Sequence, residues 1–134
     1  MRIFLDANIL FSAAQSDGAV RRLVRELLAD RHVLVVNDYV LEEAARNLTA
    51  KSRDGRQELE RLSLQLERTA VVAHLPPGLS VSLPDKDKPV LAAALQAQCD
   101  ALVTGDRTHF GQFHGRRVGG VAIHSPASLA EALL

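Results

Sequence analysis

The chain has 134 residues, enough for one folding unit with a core of its own. Hydrophobic residues make up 47% and charged residues 24%, with 16 Lys and Arg balancing 16 Asp and Glu. Zero net charge argues against a protein that coats nucleic acid by bulk charge, and the single Cys99 rules out an internal disulfide framework.

The opening residues Met1–Asp6 meet an acid too soon for a signal peptide. No apolar run approaches the ~18 residues that span a bilayer, so the expectation is a cytoplasmic protein with residues 1–134 as a single domain. Ile3-Phe4-Leu5 is the first strand candidate. From Gly18 to Asp30, Val20, Leu23, Val24, Leu27 and Leu28 follow the spacing of an amphipathic helix, with Asp17 placed to cap it. His32–Val36 is rich in β-branched residues and reads as a second strand. Asn37 and Asp38 are cap-type residues before a stripe of Leu41, Ala44, Ala45 and Leu48.

Ser52–Arg68 is heavily charged, with a narrow seam of Leu59, Leu62 and Leu66, and predicts an exposed helix on which a second subunit could pack. Ala70–Ala73 is the third strand candidate, ended by the turn signal Pro76-Pro77-Gly78. Asp85–Gln98 predicts a helix with Pro89 tolerated in its first turn. Cys99, near its end, reads as packing. Ala101–Thr104 and Val121–His124 are further strands, and Ser125 caps a last helix. Strands alternating with helices predict an α/β sandwich around a mostly parallel sheet.

Ligands of parallel sheets bind at the carboxyl ends of the strands. Asp6 follows the first strand and Asp106 the fourth, Glu43 lies early in the helix after the second, and Asp87 starts the helix before the fourth. Each acid alone has an ordinary explanation as a cap or a solvated charge. Gathered on one edge, they would raise each other's pKa unless a cation neutralised them. An oxygen-rich donor set favours Mg²⁺ or Mn²⁺ over Zn²⁺. Such an ion supplies what phosphodiester hydrolysis needs, and the sequence leaves open whether one or two are held.

Asp6-Ala7-Asn8-Ile9-Leu10-Phe11-Ser12-Ala13 resembles the opening of a PIN domain, a strand ending in Asp-x-Asn followed by apolar residues. Asn37–Leu48, Asp85–Ala94 and Leu102-Val103-Thr104-Gly105-Asp106 resemble the second, third and fourth segments of that family, in order. The resemblance implies a PIN-like three-layer sandwich, a central mostly parallel sheet flanked by helices, and Mg²⁺- or Mn²⁺-dependent cleavage of RNA. Many small bacterial members are VapC-type toxins held by an antitoxin, so an antitoxin partner and a homodimer are also implied.

On this resemblance Asp6, Asp87 and Asp106 would hold the metal with Glu43, all four being catalytic, and Asn8 and Thr104 would orient them. Motif spacing prefers Glu43 to Glu42, where helical periodicity does not choose, and Asp87 to Asp85, which would be a supporting acid. The segment Arg107–Arg117 carries cations, rings and glycines beside the site. It reads equally as a phosphate-gripping, base-stacking rim and as a solvated loop with Phe110 in the core. Arg107 is its leading RNA contact, and His109 a lesser candidate for a metal ligand.

Rival readings are a catalytically silent PIN-like domain that binds RNA or a protein, and a metal-dependent phosphatase. A haloacid-dehalogenase-type phosphatase would want an acid where Asn8 stands.

Overall fold

The computed structural model describes residues 1–49 and 53–134. β1 (Arg2–Leu5) lies parallel between β2 (Val33–Val36) and β4 (Ala101–Val103), with Ile3 opposite both Leu34 and Ala101. β6 (Val121–His124) extends the parallel set beyond β4, and β3 (Glu67–Arg68) borders β2. β5 (Arg117–Val118) closes the far edge antiparallel to β6, giving the order β3–β2–β1–β4–β6–β5. With helices around it, this sheet is the central layer of an α/β three-layer sandwich.

Ile3–Leu5, Leu34–Val36 and Ala101–Val103 are all buried. That double-sided burial is why the inner strands read as unbroken apolar runs. α1 (Ala7–Gln15) was not among the predicted elements. It packs against α2 (Ala19–Ala29), α3 (Asp38–Thr49) and α4 (Arg53–Ser63), burying Ala7, Ile9, Leu10, Ala13 and Ala14. A helix covered on so many sides needs little polar face.

The Asp17 cap is corrected: Gly18 takes the cap position of α2, and the Asp17 carboxylate pairs with Arg25 at 3.2 Å. The third strand is corrected too. Val35 pairs with Glu67 and Val36 with Arg68, and the Thr69 N–H donates to the Val36 carbonyl at 2.8 Å. β2 ends there, so no strand remains for Ala70–Ala73 to join, however apolar they are.

Ser52, where the charged helix was expected to begin, lies outside the described residues. Leu59 and Leu62 of α4, and Leu66 beyond it, are buried in the common core. Because α4 packs on α1 and α3, the seam expected to receive a second subunit is filled from within. α5 (Lys88–Gln96) is shorter than the predicted 85–98, because Asp85–Asp87 form a turn and Asp87 occupies the cap. β5 and β6 are joined through Gly119 (φ 58°) and Gly120 (φ 89°), the left-handed pair that a two-residue hairpin demands. α6 (Pro126–Leu133) starts on a capping box between Ser125 and Ser128.

Candidate active site

β1 and β4 are neighbours in register, Leu5 opposite Val103, so the residues that follow each emerge side by side. Asp6 and Thr104 are those residues. Thr104 is fully buried, and its Oγ1 donates to Asp6 Oδ2 at 2.8 Å. Asp6 Oδ1 accepts the Ala7 N–H at 2.7 Å, so Asp6 is at once the cap of α1 and a buried acid with a hydrogen bond to each oxygen. Asn8 Oδ1 accepts the Gly105 N–H at 2.8 Å and its Nδ2 donates to Thr104 Oγ1 at 3.3 Å. The two strand ends are thereby tied together.

The Asp106 N–H donates to Thr104 Oγ1 at 3.1 Å. Asp106 Oδ1 accepts the N–H groups of Thr108 and His109, at 2.9 and 3.0 Å, which organises the turn that follows. Its other oxygen is left to face the site. From the opposite side, Tyr39 at the start of α3 donates its hydroxyl to the Lys86 carbonyl at 2.5 Å. That bond holds the turn carrying Asp87 against the helix carrying Glu43.

Asp6, Glu43, Asp87 and Asp106 line one cavity of about 420 Å³, together with Asn8, Gly105, Phe11, Asn47 and Lys86. Glu42 is exposed and does not line it. Asp85, expected as a supporting acid, points to solvent (98% exposed) and pairs with Lys88 at 3.1 Å, so it is not part of this cluster. The turn before α5 turns these two acids in opposite directions, and sequence spacing cannot show that. Asn47, missed in the sequence, follows Glu43 by four residues and so shares its helix face.

His109, the lesser candidate for a metal ligand, faces two of the acids. Its Nδ1 lies 2.9 Å from Asp87 Oδ2 and 2.9 Å from Asp106 Oδ2. The three donor atoms lie within 4.8 Å of one another. Asp87 Oδ2 and His109 Nδ1 are buried without an aligned hydrogen bond. Two carboxylates and an imidazole nitrogen converging at these separations are a donor set that fits a divalent cation.

The acids are not electrostatically equivalent. Burial pushes the Asp6 carboxyl up to about 6, with Glu43 and Asp87 adding to the rise against the Thr104 and Ala7 hydrogen bonds. Asp87 is also raised, chiefly by burial, against the pull of His109. Asp106 ends below its usual range: burial raises it, but the backbone N–H groups of His109 and Thr108 and the His109 charge outweigh that.

A stability prediction follows from Asp6. Its folded pKa lies above the unfolded one, so its stabilising contribution is complete below about pH 4 and is lost as pH rises through about 6. Metal-free protein melted in EDTA should lose about 1.5 kcal/mol from this group between pH 5 and pH 7.5. Saturating Mn²⁺ should remove much of that slope, since an ion favours the charged form at every pH above its binding threshold. Equal slopes with and without Mn²⁺ would contradict this account.

Beyond Asp106 the loop takes a mixed course. Phe110 is fully buried, so it anchors the loop and does not stack on bases. Arg107 and His114 line a second cavity of about 400 Å³, which shares Asn8 and Gly105 with the acidic one.

A doubly covered, mostly parallel sheet with an acidic cavity at its strand ends defines an α/β domain whose candidate site lies at the sheet's carboxyl edge. The chain belongs to the PIN domain family, whose model matches residues 2–108. Among solved structures, it is similar to VapBC2 from Rickettsia felis bound to a DNA fragment from its promoter (TM-score 0.64, 18% identity, covering 93% of this chain and 98% of that one). It is also similar to VapC20 from Mycobacterium tuberculosis, a Sarcin–Ricin loop cleaving toxin (TM-score 0.56, 14% identity, covering 79% and 91%). No curated protein matches the chain significantly by sequence.

Proposed function

We propose that the chain is a metal-dependent endoribonuclease that hydrolyses RNA phosphodiester bonds with Mg²⁺ or Mn²⁺. The observation that carries this is the acidic cavity, where four sequence-distant carboxylates meet around a buried Asp6 held by Thr104. Asp6, Asp87 and Asp106 would hold the ion, with Glu43 completing the acidic wall. The ion, when bound, supplies an activated water and polarises a phosphoryl oxygen.

The chain's own residues do the rest. Thr104 fixes the Asp6 carboxylate, and Asn8 locks the Gly105 backbone so that Asp106 faces it. Lys86 places a cation in the acidic wall, where an RNA phosphate would approach. Arg107 and His114, in the adjoining cavity, are placed to grip a neighbouring phosphate of the same strand.

The domain, read as the single unit 1–134, would act in the cytoplasm as the toxin of a toxin–antitoxin pair. Among the described residues no helix is long and apolar enough to cross a membrane. The pairing is supported by the Rickettsia felis VapBC2 complex, and RNA as substrate by the Mycobacterium tuberculosis toxin that cleaves the Sarcin–Ricin loop. Self-association, implied by the family, would need a surface other than the buried leucine seam of α4.

Purified protein should cleave labelled RNA with Mn²⁺ and stop in EDTA. Asp106→Asn should lower the rate by on the order of 100-fold or more while leaving the circular dichroism and melting curve nearly unchanged. Asn Oδ1 can still accept the two backbone N–H groups that Asp106 Oδ1 now holds, so the turn survives. Cleavage that persists in EDTA or in the variant would assign the activity to a contaminant. Failure of the wild type to cleave RNA or bind Mn²⁺ in calorimetry would leave a silent binding domain.

A further inference from the structure

We infer that His109 is a direct nitrogen ligand of the divalent ion, making the site a mixed nitrogen–oxygen centre that prefers Mn²⁺ to Mg²⁺. The inference rests on the metal-dependent reading above and adds a ligand that the four acids do not contain. The geometry points to it in three ways.

The first is spacing. An octahedral ion with bonds of about 2.1 Å holds adjacent ligand atoms about 3.0 Å apart. His109 Nδ1 lies 2.9 Å from Asp87 Oδ2 and 2.9 Å from Asp106 Oδ2, which are the separations of two adjacent ligand pairs.

Direction is the second. A histidine that clamps carboxylates as a cation aims its N–H along the contact. A ligand nitrogen aims its lone pair at the ion, about 45° away from the line to each adjacent ligand in an octahedral arrangement. Neither short contact of Nδ1 is an aligned hydrogen bond, and both Nδ1 and Asp87 Oδ2 are buried with no other partner. Short contacts that both lie off the axis of the nitrogen are what the ligand geometry requires.

Positioning is the third. The His109 backbone N–H is held by Asp106 Oδ1 at 3.0 Å, and the next residue, Phe110, is fully buried. The ring is therefore carried on backbone that is fixed at both sides, and Asp106 orients its own partner through one oxygen while presenting the other. Mg²⁺ is a hard ion that keeps to oxygen donors, whereas Mn²⁺, although the weakest nitrogen binder of the first-row divalent ions, accepts imidazole more readily than Mg²⁺ does. That difference sets the expected Mn²⁺ preference.

The test reads the metal and not catalysis. Pulsed EPR of wild-type protein loaded with Mn²⁺ should show hyperfine coupling to ¹⁴N, which changes to the ¹⁵N pattern when the histidines are ¹⁵N-labelled. His109→Gln should abolish the coupling and weaken Mn²⁺ binding on the order of 10- to 100-fold in calorimetry, with a smaller change for Mg²⁺. Wild-type protein that binds Mn²⁺ without nitrogen coupling would overturn the inference while leaving the carboxylate site standing. Equal or tighter Mn²⁺ binding by a folded His109→Gln would also overturn it, identifying His109 as an ion-pair clamp that the metal displaces. No Mn²⁺ binding by the wild type would remove this inference together with the metal-dependent reading. The wild-type spectrum decides the matter even if the variant fails to fold.

Discussion

Replacing Asp6 with Asn should abolish RNA cleavage, by on the order of 1000-fold or more, and at the same time raise the melting temperature of the metal-free protein. The two effects share one cause. Asp6 is 5% exposed, and its carboxylate sits among Glu43, Asp87 and Asp106. Its pKa of about 6 means that ionising it at neutral pH costs about 3 kcal/mol relative to a carboxylate in water. Asn is nearly isosteric, and its Oδ1 can accept the Ala7 N–H that caps α1. Part of the gain is returned, because Thr104 Oγ1 loses a charged acceptor. A net gain of about 1–2 kcal/mol remains, or roughly 3–8 °C for a chain of this size.

The controls separate the effects. In saturating Mn²⁺ the order of stabilities should reverse, since only the wild type recovers ligand-binding energy. The variant should also lack the share of the pH slope between 5 and 7.5 that belongs to Asp6. Lower metal-free stability in Asp6→Asn would show that this carboxylate is a structural cap and not an acid held against its own cost.

Strand ends were legible and their surroundings were not. Asp6 and Asp106 stand after short apolar runs buried on both faces, the pattern of inner strands in a covered sheet. The third strand was misplaced because pairing, not hydrophobicity, decides it: exposed Glu67 and Arg68 reach β2, and apolar Ala70–Ala73 arrive after β2 has ended. α1 is hard to read because contact with three other helices leaves it only a narrow polar stripe, Asn8, Ser12 and Gln15. Glu42 and Glu43 lie off the apolar stripe together, and only the tertiary placement of α3 sends one of them to the cavity. His109 lies three residues after Asp106, a spacing that a turn or a helix folds onto one side. His109 was therefore readable as a candidate ligand, but a loop rich in other cations and rings kept it below the acids.

Thr104→Val should weaken Mn²⁺ binding on the order of 10- to 100-fold without touching any ligand. Thr104 Oγ1 is a three-way junction: it donates to Asp6 Oδ2 at 2.8 Å and accepts from the Asp106 N–H at 3.1 Å and from Asn8 Nδ2 at 3.3 Å. Valine keeps the shape and removes all three bonds. The residue is fully buried, so water cannot replace the lost partners without opening the strand ends. Each partner left unsatisfied costs about 1–3 kcal/mol. The total should stay at the lower end, because Asp6 can relieve its own loss by taking up a proton. That escape carries the functional penalty, since a protonated Asp6 no longer attracts the ion. Mn²⁺ affinity in the variant should therefore recover as pH is raised, over a range more alkaline than in the wild type. Thr104→Ser, which keeps the hydroxyl, should bind Mn²⁺ within a few-fold of the wild type. Calorimetric titrations of both variants between pH 6 and pH 8.5 would measure this. A Thr104→Val protein with wild-type affinity across that range would show that Asp6 is held in place by α1 alone.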